Sequence, residues 1–264
     1  MGKVVLITGG SSGIGLNAAL ALKKQGCTVY EMSRRAQGAN PEILHIQGDV
    51  TNEEQAANAV KEVVEREGRL DILINNAGFG ISGAVEFTPP SEARHQLDVN
   101  FFGMVNMNYA ALPVMRRQGF GRIVNMSSVA APIAIPFQTY YSASKAAVRT
   151  YSLALKEEVR PFGIEVCVIM PGDIATGFTA AREKCAEGDD VYGGRITRSV
   201  AVMEHDEETG MTAEFAGSFV CKYALKKRAM PVVTMGGKYK LFVFLTRLLP
   251  TRLMMYIVGR IYAS

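Results

Sequence analysis

Tyr141 and Lys145 stand four residues apart, so on a helix a phenol and an ammonium share one face. A phenol with a pKa of about 10 is a weak acid–base group at neutral pH. A neighbouring ammonium favours the phenolate and brings it toward a useful range. By the same spacing Tyr140 pairs with Ser144, which does nothing for its acidity. Upstream, Arg122–Ser127 reads as a strand followed by a second serine, Ser128. That hydroxyl can donate a hydrogen bond to a carbonyl oxygen on which negative charge builds. Taken alone, Tyr-x-x-x-Lys is equally a surface helix pair.

A second group of residues sits near the start. Thr8-Gly9-Gly10-Ser11-Ser12-Gly13-Ile14-Gly15 follows an apolar run and opens a helical stretch, Leu16–Gln25. Glycines at 9, 13 and 15 permit a tight turn, close approach of backbone to a pyrophosphate, and close packing of helix on strand. Ser11, Ser12 and Ile14 lie in that turn, where a helix N-terminus offers free N–H groups to phosphate oxygens. The same residues satisfy the G-x-S-x-G elbow of serine hydrolases, with His205 as a downstream partner, but that reading leaves the other motifs unused. At the end of the second apolar run, Ser33 takes the position where an acid would hold the ribose 2′-OH of NAD, and Arg34 follows. A guanidinium there suits a 2′-phosphate, so NADP(H) is favoured over NAD(H). Glu31 is the counter-candidate, and Arg34 and Arg35 also read as solvated loop charges.

Positioning these groups requires a frame, and the patterning supplies one. Short β-branched runs at Val4–Thr8, Thr28–Ser33, Ile43–Gln47, Ile72–Asn75, Arg122–Ser127, Glu165–Met170 and Pro231–Thr234 alternate with helical stretches. Runs this apolar fit strands buried on both faces of a parallel sheet. Between them, Glu53–Glu67 has helical period, with Thr51 or Asn52 as cap and Gly68 as stop. The prediction is an α/β, Rossmann-type doubly wound sheet, mostly seven-stranded and parallel, with helices on both faces, in a single domain over 1–264. Two segments break the rhythm. The stretch 174–217 is long and charged and is expected to be a substrate lid. The segment 240–264 is an apolar tail carrying Arg247, Arg252 and Arg260.

Hydrophobic residues at 48% and charged residues at 20% of 264 exclude a disordered chain. Net charge +4, dispersed along the chain, argues against nucleic acid. Cys27, Cys167, Cys185 and Cys221 show no metal spacing, so no metal site is expected and the thiols read as reduced. The opening residues read as a first strand rather than a signal peptide, giving the expectation of a cytoplasmic protein.

Taken together, the motifs resemble those of the short-chain dehydrogenase/reductases over essentially the whole length. The residues carrying the resemblance are Thr8-Gly9-x-x-x-Gly13-x-Gly15, Asp49-Val50, Asn75-Asn76-Ala77-Gly78, Asn100, Ser128 twelve residues before Tyr141, Lys145, and Pro171-Gly172 with Ile174 and Thr176. The resemblance implies a catalytic set of Asn100, Ser128, Tyr141 and Lys145. It implies that Asp49 and Val50 contact adenine, that Asn76, Ala77 and Gly78 run along the adenosine ribose, and that Asn75 helps to hold the strands. It further implies that Tyr141 and Lys145 bind the nicotinamide ribose, and that Pro171, Gly172, Ile174 and Thr176 lie over the carboxamide. Asn100 would link Lys145 to solvent through a water; it is equally a buried amide at a helix bend. Ser127 has the wrong spacing to be the catalytic serine. A homodimer or homotetramer through 101–115 and 141–160 is also implied.

The wall Val129–Phe137, with Phe178, is nearly free of charge, which predicts an apolar ketone or secondary alcohol as substrate. The pattern is similar to hydroxysteroid dehydrogenase-like and acyl-dihydroxyacetone-phosphate reductase-like members, with a steroid-type ketone weighed slightly above an acyl-lipid ketone. A fold that kept the cofactor and lost catalysis is the competing reading, and the intact catalytic set opposes it. The tail is too short to span a bilayer; it either rests on a membrane surface or buries against the domain or a second subunit.

Overall fold

The computed structural model describes residues 2–263. Seven strands form one parallel sheet: β1 (Val4–Thr8), β2 (Thr28–Ser33), β3 (Leu44–Gln47), β4 (Ile72–Asn75), β5 (Gly121–Met126), β6 (Ile164–Met170) and β7 (Val232–Thr234). Their spatial order is β7-β6-β5-β4-β1-β2-β3, so the chain starts in the middle of the sheet and reverses direction across β1 and β4. That reversal opens a crevice at the carboxyl ends of the strands.

Alternation of side chains along the strands builds two cores. Val5, Ile7, Ile74, Val124 and Cys167 face α1 (Gly13–Lys24) and a later helix, α8 (Ala213–Leu225). Val4, Leu6, Leu73, Ile123 and Val166 face α2 (Glu53–Glu67) and two longer helices. The latter are α4 (Gly103–Gln118) and α5 (Thr139–Val159), and a short α3 (Pro90–Leu97) precedes them. The expected bounds of α2 hold: Asn52 accepts from the N–H of Gln55, and Gly68 takes a left-handed conformation after the last turn. By contrast α1 starts three residues earlier than its apolar pattern suggests, because Gly13, Ile14 and Gly15 are already helical.

The expected lid is more ordered than its charge implied. It holds a single turn, α6 (Phe178–Ala181), and a full helix, α7 (Arg195–Glu208), whose Ile196, Val200 and Met203 are buried one above another. Its last residues are not lid at all: Ala213–Gly217 begin α8, which packs on α1. The tail folds into α9 (Gly237–Leu248) and α10 (Thr251–Tyr262).

The close approach of α8 to α1 depends on Gly217, where an added Cβ would overlap the backbone of Asn17. Gly217→Ala is expected to cost about 2 kcal/mol by overpacking, read as a lower midpoint in urea unfolding.

Candidate active site

The carboxyl edge of the sheet is held by side-chain hydrogen bonds rather than by more ladder. Thr8 Oγ1 accepts from the N–H groups of Asn76 and Ala77, and Asn76 Nδ2 donates back to the carbonyls of Thr8 and Gly9. Asn75 donates to the Asn108 and Asn125 amide oxygens, and Asn125 donates to the Ser152 hydroxyl on α5. Asn75 thus ties β4 to β5 and to α4, the strand-holding part expected of it.

Beside this edge lies a cleft of about 700 Å³. Every cofactor-site residue proposed from sequence lines it except Gly15: Gly9, Ser11, Ser12, Gly13, Ile14, Ser33, Arg34, Asp49, Val50, Asn76, Ala77, Gly78, Pro171, Gly172, Ile174 and Thr176, with Ser128, Tyr141 and Lys145. Gly15 acts behind the cleft wall, where a Cβ would overlap the Gly9 carbonyl. Gly9 and Gly13 have φ of +65° and +53°, and a Cβ on Gly9 would stand 2.9 Å from Ala77 Cα. Ser12 enters α1 in extended conformation without capping it by its side chain, which leaves first-turn N–H groups open. This is a cradle for a dinucleotide: positive φ, no Cβ, free donors at a helix start, and volume to match.

At the far end of the cleft, Glu31 is only 2% exposed, packs under Gly10 and is bound by His45 Nδ1 and the Ser33 hydroxyl. That commits Oε1 of the counter-candidate, while its Oε2 has no partner. Arg34 and Arg35 line the same end. Asp49 keeps one carboxylate oxygen on the Thr51 hydroxyl and N–H.

At the near end, Ser128 Oγ and the Tyr141 phenol lie within hydrogen-bonding reach of each other, so both can donate to one oxygen placed between them. Ser127 is occupied by the Lys145 carbonyl and so helps to seat α5. Lys145 Nζ lies 5.7 Å from the Tyr141 ring centre and donates to the Met126 carbonyl at 3.0 Å. The expected lowering of the phenol pKa by this ammonium is not found in this geometry. Burial outweighs every other influence and pushes Tyr141 up to about 12, against the Ser128 hydrogen bond. Burial also brings Lys145 down to about 8. Asn100 sits in a π-helical turn, Asp98–Phe102, behind the cleft. Its amide pairs with both the N–H and the carbonyl of Phe79 and donates to Ser144. Of its two expected parts, the amide at a helix bend is the one seen directly. Gly78 is crowded by Asn100 Oδ1 and Lys145 Nζ, at 3.0 and 3.4 Å from a built Cβ.

The apolar wall, including Val129, Ala130, Ile135 and Phe178, is present, but the mouth is not free of charge. Asp173, Glu183 and Glu207 line it as well. The Arg182 side chain is fully buried, stacks 5.8 Å from the Phe178 ring and donates to Glu207, which also accepts from Thr179. Asp173 accepts from the Tyr239 hydroxyl of α9. Burial raises the pKa of both Glu207 and Asp173. Both carboxylates and Arg182 act on Tyr141 through space. Sequence reasoning missed this cluster, since the chain brings it together only by folding residues 173–207 over the cleft.

A sequence profile described as short chain dehydrogenase matches residues 3–186. The chain belongs to that family. A 3-ketodihydrosphingosine reductase of Bacteroides thetaiotaomicron is 40% identical over 265 residues, covering 99% of this chain and 98% of its own. Among solved structures, a short-chain dehydrogenase from Streptomyces avermitilis superposes with a TM-score of 0.86 at 29% identity, covering 98% of this chain and 96% of that one. A short chain dehydrogenase from Burkholderia cenocepacia, in complex with NADP, gives 0.75 at 25% identity, covering 100% and 98%. The chain is therefore an oxidoreductase of the short-chain dehydrogenase family, with the nicotinamide-binding fold.

The buried ammonium has a measurable cost in this dehydrogenase. With its pKa near 8 in the fold, against a usual 10.5, Lys145 must be held charged in a dry site below pH 8. Lys145→Met is expected to raise the stability of the cofactor-free protein at pH 7 by about 1–3 kcal/mol, less what the unpaired Met126 carbonyl costs. The gain should fade between pH 8 and 10.5, where the native enzyme sheds the proton; thermal melting across that range checks it.

Proposed function

We propose that this dehydrogenase reduces the ketone of a long-chain amino lipid, with NADPH as electron donor. When bound, the reduced nicotinamide supplies the hydride. The substrate carbonyl oxygen is held by Ser128 and Tyr141, and Tyr141 delivers the phenolic proton to it. Burial supports that assignment by keeping the phenol protonated through the neutral range. Lys145 stands beside the phenol and stabilises the negative charge left when the proton goes. Asn100 positions Gly78 and Phe79, and through Ser144 the helix that carries both groups. Tyr141→Phe is expected to lower turnover about 10²–10⁴-fold while NADPH still binds, as followed by fluorescence titration.

The acids at the mouth carry the choice of substrate. A steroid offers them no positive charge, and acyl-dihydroxyacetone phosphate brings a phosphate toward Asp173, Glu183 and Glu207. The nearby Arg182 is buried and gives one of its nitrogens to Glu207. An ammonium next to the ketone fits instead, and 3-ketodihydrosphingosine, named in a relative that matches nearly the whole chain, has that arrangement on a long alkyl chain. Of the two substrate classes weighed on the sequence, the lipid ketone is thus favoured. NADPH oxidation with 3-ketodihydrosphingosine should exceed that with the ketone lacking the amine, and Glu207→Gln should raise KM about tenfold for the amino ketone alone. Faster turnover of a steroid or of the phosphate ester would refute the reading.

The NADPH preference rests on Arg34, which lines the cleft where Glu31 is already bound to His45. Arg34→Ala is expected to weaken NADPH binding by about 10–100-fold and to leave NADH binding unchanged. Exposed Phe102 and Tyr109, at the start of α4 and on it, support a homo-oligomer, dimer or tetramer.

A further inference from the structure

No helix among the described residues is long and apolar enough to cross a membrane. The tail nevertheless has an unusual surface. Tyr239, Val243 and Thr246 recur at i, i+4 and i+7 on α9, and this stripe is buried or half-buried. Tyr239 and Val243 pack against Val129, Val168 and Met170, and Val129 lines the cleft. A second stripe, Leu241, Phe244, Leu245 and Leu248, recurs at i, i+3, i+4 and i+7 and occupies the opposite side of the same helix. Leu241, Phe244 and Leu248 are exposed, and Leu245 is half-exposed. Eight of the seventeen large exposed apolar side chains of the described chain lie between Leu241 and Ile261, far more than this short segment's share.

Charge separates the candidate occupants of that surface. Between 237 and 264 the chain has Lys238, Lys240, Arg247, Arg252 and Arg260 and no acidic residue. On α10 the face opposite buried Met254 and Val258 mixes Leu253 and Tyr256 with Arg252 and Arg260. A second copy laid on this surface would set like charges together. Apolar side chains flanked by cations instead match a bilayer interface carrying anionic headgroups, with the helix lying in its plane. We propose that α9 and α10 dock the protein on an anionic lipid surface through Leu241, Phe244 and Leu248, with the basic side chains on the headgroups. Because the inner stripe of α9 packs on the cleft wall, docking brings the substrate mouth to within about one helix diameter, roughly 10 Å, of the interface. The proposal is independent of which lipid ketone is reduced.

The test is co-sedimentation of the full chain with phosphatidylcholine vesicles with and without phosphatidylglycerol. Binding is expected to rise about tenfold with the anionic lipid and to fall with added salt. The combined Leu241→Gln, Phe244→Gln and Leu248→Gln variant should stay in the supernatant. Lys240→Glu with Arg247→Glu should do the same, which keeps the test decisive if the first variant misfolds. NADPH binding and melting temperature report whether each variant is folded. A native protein that ignores anionic vesicles overturns the proposal, as do folded variants that sediment unchanged. It is overturned equally if light scattering shows the leucine and phenylalanine changes splitting an oligomer, since the stripe is then a subunit contact.

Discussion

A sheet buried on both faces must pair most of its polar groups where its strands stop, and this requirement shapes the whole site. At that edge the backbone ladder ends and side chains take over: Thr8 and Asn76 lock the first glycine turn to the fourth strand, and Asn75, Asn125 and Ser152 run from strand to strand to the helix of Tyr141. The glycine turn and the helix of Tyr141 are therefore tied to one edge by side-chain hydrogen bonds. Side chains held this way keep their positions without help from a ligand, which is what preorganised catalysis requires.

Desolvation acts on Tyr141 and Lys145 in opposite senses. It makes the phenol harder to ionise and the ammonium easier to neutralise. Near pH 7 the phenol is therefore neutral, while the ammonium still carries its charge in a dry site. Spacing alone does not establish the acidity that Tyr-x-x-x-Lys suggests.

Most of the frame was legible from the amino-acid order. Strands buried on both sides must be continuous apolar runs, so their positions were visible to within a residue or so, and the Asn52 and Gly68 signals marked both ends of α2. The glycine turn and the Ser128, Tyr141 and Lys145 set were legible because each needs a particular residue type at a particular step. What escaped was everything that depends on folding distant segments together. The helix Arg195–Glu208 was hidden by its charges, although Ile196, Val200 and Met203 carry its period. The Arg182–Glu207 pair and Asp173 gather over the cleft from separate loops and helices. The pairing of Glu31 with His45 was hidden because His45 lies on the neighbouring strand.

The final helices also fasten the cover over the cleft. Tyr239 holds Asp173, Tyr262 holds Asp206 beside Glu207, and the Ala263 carbonyl receives Arg195 at the start of α7. The last two dozen residues are thus a clasp on Asp173 and on both ends of α7. Shortening the chain at Pro250 would spare the glycine turn, Ser128, Tyr141 and Lys145, yet it would remove the hydrogen bonds of Tyr262 and Ala263 near both ends of α7. Two regions that look unrelated along the chain, the acidic segment around α7 and the apolar, basic terminus, are therefore joined by hydrogen bonds.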